Sequence, residues 1–199
     1  MDKIGSYTFK QYCDKVAESH GKLAPGMVIG GYMVGLAYQN LPPNTLFEVI
    51  CETAACLPDA VQLLTPCSVG NQRIRIIDVG RFAMTFYDKY TKEGVRVYLD
   101  LGKLEKWPVI KEWFLKLKPK KQQDTESIIK QITEAGIDIC GISALKVFPE
   151  FTTKRSKTSI AICPICKEAY RSSDGAICLA CKGGLLPYLV ESKNETMAS

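Results

Sequence analysis

The sequence predicts an α+β protein: a mixed core domain with an antiparallel-rich sheet and packed helices, followed by a small C-terminal module built on four cysteines, of treble-clef or ribbon type. Three observations carry this expectation. Apolar residues recur at helical spacing in several segments of the first 150 residues. Between them, "RIRIIDVG", "RFAMTFYDKY" and "VRVYLDLG" follow one another with short turns and are rich in β-branched and aromatic residues. Near the C-terminus, "CPICKEAYRSSDGAICLAC" holds two CxxC pairs, from Cys163 to Cys181. The expected organisation is a core over residues 1–150, a linker and four-cysteine module over 151–190, and a flexible tail over 191–199.

The elements follow in order. Ser6 or Thr8 can cap a first helix running to about Ser19, whose apolar face is Phe9, Tyr12, Cys13 and Val16. "SHGKLAPG" breaks it, and Pro25 suits the first turn of a second helix. There Met27, Gly30, Gly31, Val34, Gly35 and Tyr38 recur every three or four residues, and the small ones let another backbone come close. "LFEVICET" reads as a strand, and a short helix follows from about Pro58 to Leu64. The three strand-rich segments come next, divided by Gly80 and the Lys92-Glu93-Gly94 turn, and their short connections favour antiparallel pairing. "WPVIKEWFLKLK" and "DTESIIKQITEAG" are helical, the second capped by Asp124 or Thr125 and stopped at Gly136. "GISALKVFPEF" is a last core strand, and "TTKRSKTS" a basic linker.

The chain of 199 residues is long enough for one domain with a real core and a small appendage. A net charge of +5 permits a small anionic ligand and does not demand nucleic acid. The N-terminus lacks a positive-then-apolar signal pattern, and the longest apolar run, Met27 to Tyr38, is too short to cross a membrane. These features predict a cytoplasmic protein without a membrane partner. There, nine cysteines argue for metal and thiol chemistry rather than disulfides.

A CxxC places two thiolates on one tight turn, and a tetrahedral zinc site needs two such turns. Cys163/Cys166 and Cys178/Cys181 supply them, with Asp174-Gly175 as a turn signal between the pairs. With all four positions cysteine, zinc keeps no open site, so the expected role is structural. Iron is the alternative metal, told apart by colour. Arg171, Lys167 and Lys182 lie nearby without an aromatic or basic stripe, so nucleic acid is not the expected partner.

Three features of the core attract chemical readings. His20, the one histidine, stands between two helices beside a glycine and a helix N-terminus. Cys56 and Cys67 bracket a short helix. A thiol at a helix N-terminus is a better ligand or nucleophile, whereas the plain reading makes Cys51, Cys56 and Cys67 small buried hydrophobes. "IDVGRFAMTFYDKYT" carries Asp78, Arg81, Tyr87 and Asp88, of which Asp78 and Arg81 can pair across Gly80. The run Lys116 to Lys121 reads most simply as a solvated linker between helices, with phosphate binding as the alternative.

"YTF" from Tyr7, "HGKLAPG" from His20, "CLPDAVQLLT" from Cys56 and "DVGRFAMTFYDK" from Asp78 together resemble the FmdE family of formylmethanofuran dehydrogenase, in order and spacing. The resemblance covers almost the whole chain and is weakest from about Asp100 to Lys157. It implies an α+β core, an auxiliary treble-clef zinc finger, a homodimer, and a second metal ion in the core at His20, Cys56 and Cys67. It ties the chain to a molybdenum or tungsten enzyme that reduces carbon dioxide onto methanofuran, as a component other than the pterin holder. Two departures stand out. Lys22 and Ala24 replace a histidine and a cysteine of the family's HGHLCPG loop, and "SVGNQRIRI" lacks the family's glycine–lysine–glycine turn.

Three functions follow as expectations. The first is a metal-binding accessory protein serving assembly, metal or cofactor delivery, or electron-transfer support of such an enzyme. The second is a stand-alone metal-dependent enzyme, with His20 or Tyr87 as acid or base and Lys22 or Arg81 as anion clamp. The third is a regulatory or nucleic-acid-binding protein acting through the finger.

Overall fold

The computed structural model describes residues 3–153 and 158–184. The expected tail over 191–199 and much of the linker lie outside the described residues. Contacts divide the chain into two units, Met1–Thr153 and Lys154–Ser199.

The first unit opens with a small hairpin, β1 (Lys3–Ile4) and β2 (Tyr7–Thr8), which leads directly into helix α1 (Phe9–His20). Thr8 is its N-cap. Its hydroxyl accepts from the Gln11 amide while the Gln11 side chain accepts from the Thr8 amide, a capping box. Tyr12 and Val16 are buried, and the Tyr12 hydroxyl donates to the Met27 carbonyl at 2.7 Å. Gly21 ends the helix in the left-handed conformation, so His20 closes α1 rather than lying in the loop.

Helix α2 (Pro25–Gln39) is the hub of the core, buried almost all round over its first three turns. Gly26, Gly30 and Gly31 are contact points, whereas Gly35, also expected to be one, has open space where a Cβ would sit. A Cβ on Gly30 would stand 2.7 Å from the Ala60 Cβ, and one on Gly31 would strike Tyr12 and Ile4. The expected close approach is thus made by α1 and by α3 (Leu57–Leu64).

The sheet contains β3 (Phe47–Cys51), β4 (Ile74–Ile76), β5 (Ala83–Asp88), β6 (Glu93–Leu99) and β7 (Cys140–Lys146), in the order β4-β3-β5-β6-β7. Pairing is antiparallel from β3 through β7. β4 departs from expectation: it lies parallel to β3, and β5 pairs with the other side of β3. The reason is α3, which carries the chain over as a crossover and returns it in the same direction. Asp78 and Arg81 do not pair; the Asp78 carboxylate accepts from the Gly80 amide at 3.0 Å instead, and Asp88 caps the Tyr90 and Thr91 amides.

Alternation gives the sheet two unlike faces. Val49, Cys51, Met84, Phe86, Val95 and Val97 face the helices and join the main core. The other face carries Glu48, Ile50, Thr85 and Tyr87, all buried, and the Arg96 guanidinium held by two bonds to Glu52 at 2.6 and 2.8 Å.

Helix α4 (Pro108–Phe114) is shorter than "WPVIKEWFLKLK" predicts. Lys116 takes φ 55°, its amide bonds to Trp113, and the Leu117 amide reaches back to Glu112 at 2.9 Å. This is a Schellman ending with lysine where glycine is usual. Helix α5 (Thr125–Ala135) has Asp124 as N-cap and Gly136 at its end, as the sequence predicts. Among the described residues no helix is long and apolar enough to cross a membrane.

The second unit is a hairpin, β8 (Ile160–Ile162) and β9 (Ala169–Arg171), followed by a turn-rich segment. The hairpin's loop is the first CxxC itself, with Lys167 at φ 64°. Asp174-Gly175 is not the hairpin turn; it ends a short 3₁₀ turn over Ser172–Asp174, and the Tyr170 hydroxyl donates to the Gly175 carbonyl at 2.9 Å.

Candidate functional site

The most complete chemical cluster lies in the second unit. The sulfurs of Cys163, Cys166, Cys178 and Cys181 all lie within 4.8 Å of one another. The Cys166 and Cys178 sulfurs are 3.8 Å apart. A tetrahedron with bonds of about 2.3 Å has edges of about 3.8 Å, so the four residues fit one tetrahedral metal ion. The Cys178 sulfur accepts from the Cys181 amide at 3.4 Å. The amides of Cys178 and Cys166 draw the Cys163 thiol down to about 6. The Cys178 sulfur, then desolvation, pushes Cys181 up to about 12. Without a cation the four groups do not become thiolates together; with one they can. Among the described residues of this unit only Cys163 is buried.

The first unit holds a different kind of site. After β3 the chain turns sharply into α3, and Cys56 is the pivot. It has φ 57° and ψ −44°, and the Leu57 amide donates to the Ala55 carbonyl at 2.6 Å. That is a γ-turn of the rare positive-φ kind, a strained conformation for a residue with a side chain. The turn sets the thiol at the start of α3 and against the beginning of α2: a Cβ on Gly26 would stand 2.8 Å from the Cys56 sulfur. Burial, and then the Asp59 carboxylate, push the Cys56 thiol up. It is a protonated thiol at neutral pH.

Cys56 and Gly26 lie at the inner end of a cleft of about 770 Å³. Phe82, Trp113 and Phe114 line its middle, with Phe82 edge-on to Phe114 at 5.7 Å between ring centres. Lys116, Lys118 and Lys120 stand at its exposed mouth. His20 is close by in a second arrangement, its Nδ1 lying 3.4 Å from an Asp59 carboxylate oxygen. Asp59 therefore stands beside both groups: its carboxylate lies next to the imidazole Nδ1, and its charge acts on the Cys56 sulfur.

The remaining expected residues go elsewhere. Cys67 is buried at the far end of α3, its thiol 3.7 Å from the Phe47 carbonyl oxygen. Eight helical residues, a span of about 12 Å, separate it from Cys56. His20, Cys56 and Cys67 are thus not brought together, and among the described residues the four finger cysteines alone converge as three or more such ligands. Tyr87 lies on the other face of the sheet from the α2 core, wholly buried, donating to Glu48 at 3.0 Å. Burial, then the Glu48 carboxylate, raise its phenol, so it holds its proton where an acid or base would exchange one. Lys22 and Arg81 are exposed and do not line the cleft. Cys51 and Cys140 are buried thiols, each pushed up to about 12 mainly by burial.

Asp59, Trp113 and Phe114 do not stand out in the sequence as site residues, whereas the lysine rim falls in the run Lys116 to Lys121, for which phosphate binding is the alternative to a solvated linker. Asp59 is visible there only as the acidic residue three places after Cys56. Trp113 and Phe114 look like any apolar helix face; the fold sets them with Phe82 and Cys56 along one cleft.

Comparison with known proteins places this geometry. Residues 19–149 match the family described as "FmdE, Molybdenum formylmethanofuran dehydrogenase operon". Residues 154–189 match the "FmdE treble clef zinc finger". The crystal structure of a tungsten formylmethanofuran dehydrogenase FmdE-like protein from Syntrophus aciditrophicus is 49% identical, with a TM-score of 0.86 over 94% of this chain and 98% of that one. A protein of Archaeoglobus fulgidus described as a probable S-adenosyl-L-methionine-binding protein is 30% identical over 101 residues, 47% of this chain and 28% of that protein. The chain therefore spans less than a third of that relative. On the two family matches and the near full-length likeness, the chain belongs to the FmdE family and carries its treble-clef finger.

Proposed function

We propose that this chain is a metal-binding accessory protein to a molybdenum or tungsten enzyme of the formylmethanofuran dehydrogenase type. It acts as a homodimer in the cytoplasm and supports assembly, metal or cofactor delivery, or electron transfer. The finger holds zinc as a closed, structural ion, because four cysteines leave it no position for substrate. The cleft at Cys56 is the face that meets a ligand. The observation that carries this reading is the convergence of four thiols in a unit whose described residues include one buried residue, Cys163, inside a chain of this family.

Metal analysis of the purified chain tests it. One zinc per chain is expected, lost in Cys163→Ser with Cys178→Ser. A folded, metal-free finger sinks the metal-binding reading. Affinity purification of the tagged chain from its own cells should retrieve components of a pterin enzyme, and retrieval of none removes the accessory role.

The γ-turn at Cys56 favours a second reading, in which the cleft is an active site of its own. Strained turns of this kind concentrate at functional positions. His20, oriented by Asp59, is then the acid or base, and Cys56 the thiol. A turnover abolished by both Cys56→Ala and His20→Ala, with zinc content intact, would replace the accessory reading with this one.

A further inference from the structure

The cleft's charge and shape point to one class of ligand. Its volume of about 770 Å³ lies in the range of small-molecule sites, which run from about 300 to 1,000 Å³. Its interior is graded. Gly26 is buried, and Cys56, Phe82, Trp113 and Phe114 are half-buried, giving an apolar and largely aromatic inner slot. The mouth is cationic. Lys116, Lys118 and Lys120 line it, and none of the lining residues is acidic. Lys118 is already paired, with Glu112 at 2.6 Å. Lys116 and Lys120 have no ion pair among the described residues.

The rim is also shaped rather than loose. The Leu117 amide bonds to Glu112 at 2.9 Å, and the Gln123 side-chain amide donates to the Lys118 carbonyl at 2.8 Å. Lys116 occupies the left-handed position of the Schellman ending, where glycine would relieve the backbone. Two of the described non-glycine residues with positive φ, Cys56 and Lys116, line the same cleft. Both are placed where local stability alone would choose another residue.

We infer that this cleft binds a small organic anion with an aromatic or planar apolar body. The body lies among Phe82, Trp113 and Phe114, and a carboxylate or phosphate group meets Lys116 and Lys120. The bound body covers the Cys56 thiol. This rests on the cleft being the ligand-facing site proposed above, and it needs no metal ion in the core.

Three naphthalene probes test it by calorimetry on the full chain: 2-naphthoate, 1-naphthyl phosphate and the neutral 2-naphthalenemethanol. At least one anion should bind tenfold or more tightly than the alcohol, and the tighter of the two names the head group. The same anion should slow alkylation of Cys56 by iodoacetamide at pH 9, read by peptide mass spectrometry. Lys116→Gly combined with Lys120→Ala should cost the anion at least tenfold and leave the alcohol's affinity unchanged. Lys116→Gly alone should raise the melting temperature while weakening the anion, which excludes unfolding as the cause. Equal affinity for anion and alcohol, no change in the lysine variants, or no protection of Cys56 overturns the inference. Zinc content and partner retrieval are read separately, so this inference can fail while the accessory reading stands, and the reverse.

Discussion

The two units of this chain hold cysteines for opposite reasons. In the first, a contiguous apolar core centred on α2 makes the fold, and its thiols are packing groups or, at Cys56, a group posed in a cleft. In the second, Cys163 is the single buried residue among those described, and its neighbours Ile160 and Ile162 are 67% and 72% exposed. Among the described residues hydrophobic burial contributes little to that unit, and on the reading proposed above a metal ion holds it. One cluster is thus chemically loud and proposed as structural; the other is quiet and lines the cleft proposed to meet a ligand.

The largest expected effect breaks that comparison if it fails. Stripping the metal with a chelator, or changing Cys163 and Cys178 to serine, should unfold the finger, since structural zinc sites contribute about 10–16 kcal/mol of binding free energy to such units. Dispersion in amide NMR spectra should collapse for the finger and persist for residues of the core. A core that melts together with the finger would refute the separation.

The reciprocal change strikes the core alone. Gly30→Ala drives a methyl group to 2.7 Å from the Ala60 Cβ and should cost about 1–3 kcal/mol in denaturant unfolding. Zinc content should not change, and Ala60→Gly added to it should recover part of the loss.

A smaller effect sharpens the contrast between the sheet's faces. Tyr87→Phe leaves the buried Glu48 without its phenolic donor and should cost about 1–2 kcal/mol. The sign with pH follows from the raised phenol. Its contribution is whole below the unfolded tyrosine value of about 10 and declines as pH rises through the higher folded value. The wild-type chain should lose stability above about pH 10 more steeply than Tyr87→Phe, by up to about 1.4 kcal/mol per pH unit. Parallel alkaline slopes would show that Tyr87 does not carry this linkage.

What the sequence made legible tracks how local each feature is. The four-cysteine site was readable because each ligand pair lies within four residues and the spacing fixes the chemistry. The caps at Thr8 and Asp124 and the proline starts of α2 and α3 were readable for the same reason. The parallel partner of β4 was not, because its pairing depends on where α3 returns the chain rather than on anything in "RIRIIDVG". The cleft was half legible. Cys56 and His20 stood out by type, but the aromatic wall comes from α4, some 60 residues on, and meets Cys56 only through tertiary packing. Cys67 shows the converse error: proximity along the chain to Cys56 says nothing when a whole helix lies between them.

The contact between Gly26 and Cys56 has a consequence for how this chain can change over generations. Position 26 has room for hydrogen alone while position 56 carries sulfur at 2.8 Å from where a first side-chain carbon would sit. Single substitutions at 26 therefore crowd the turn on which the thiol depends. Losing the sulfur relieves the closest contact, although the Cβ of residue 56 still stands 3.2 Å from where that carbon would sit. Once position 26 is filled, regaining the thiol requires emptying it first, so the pair is reset only in a fixed order.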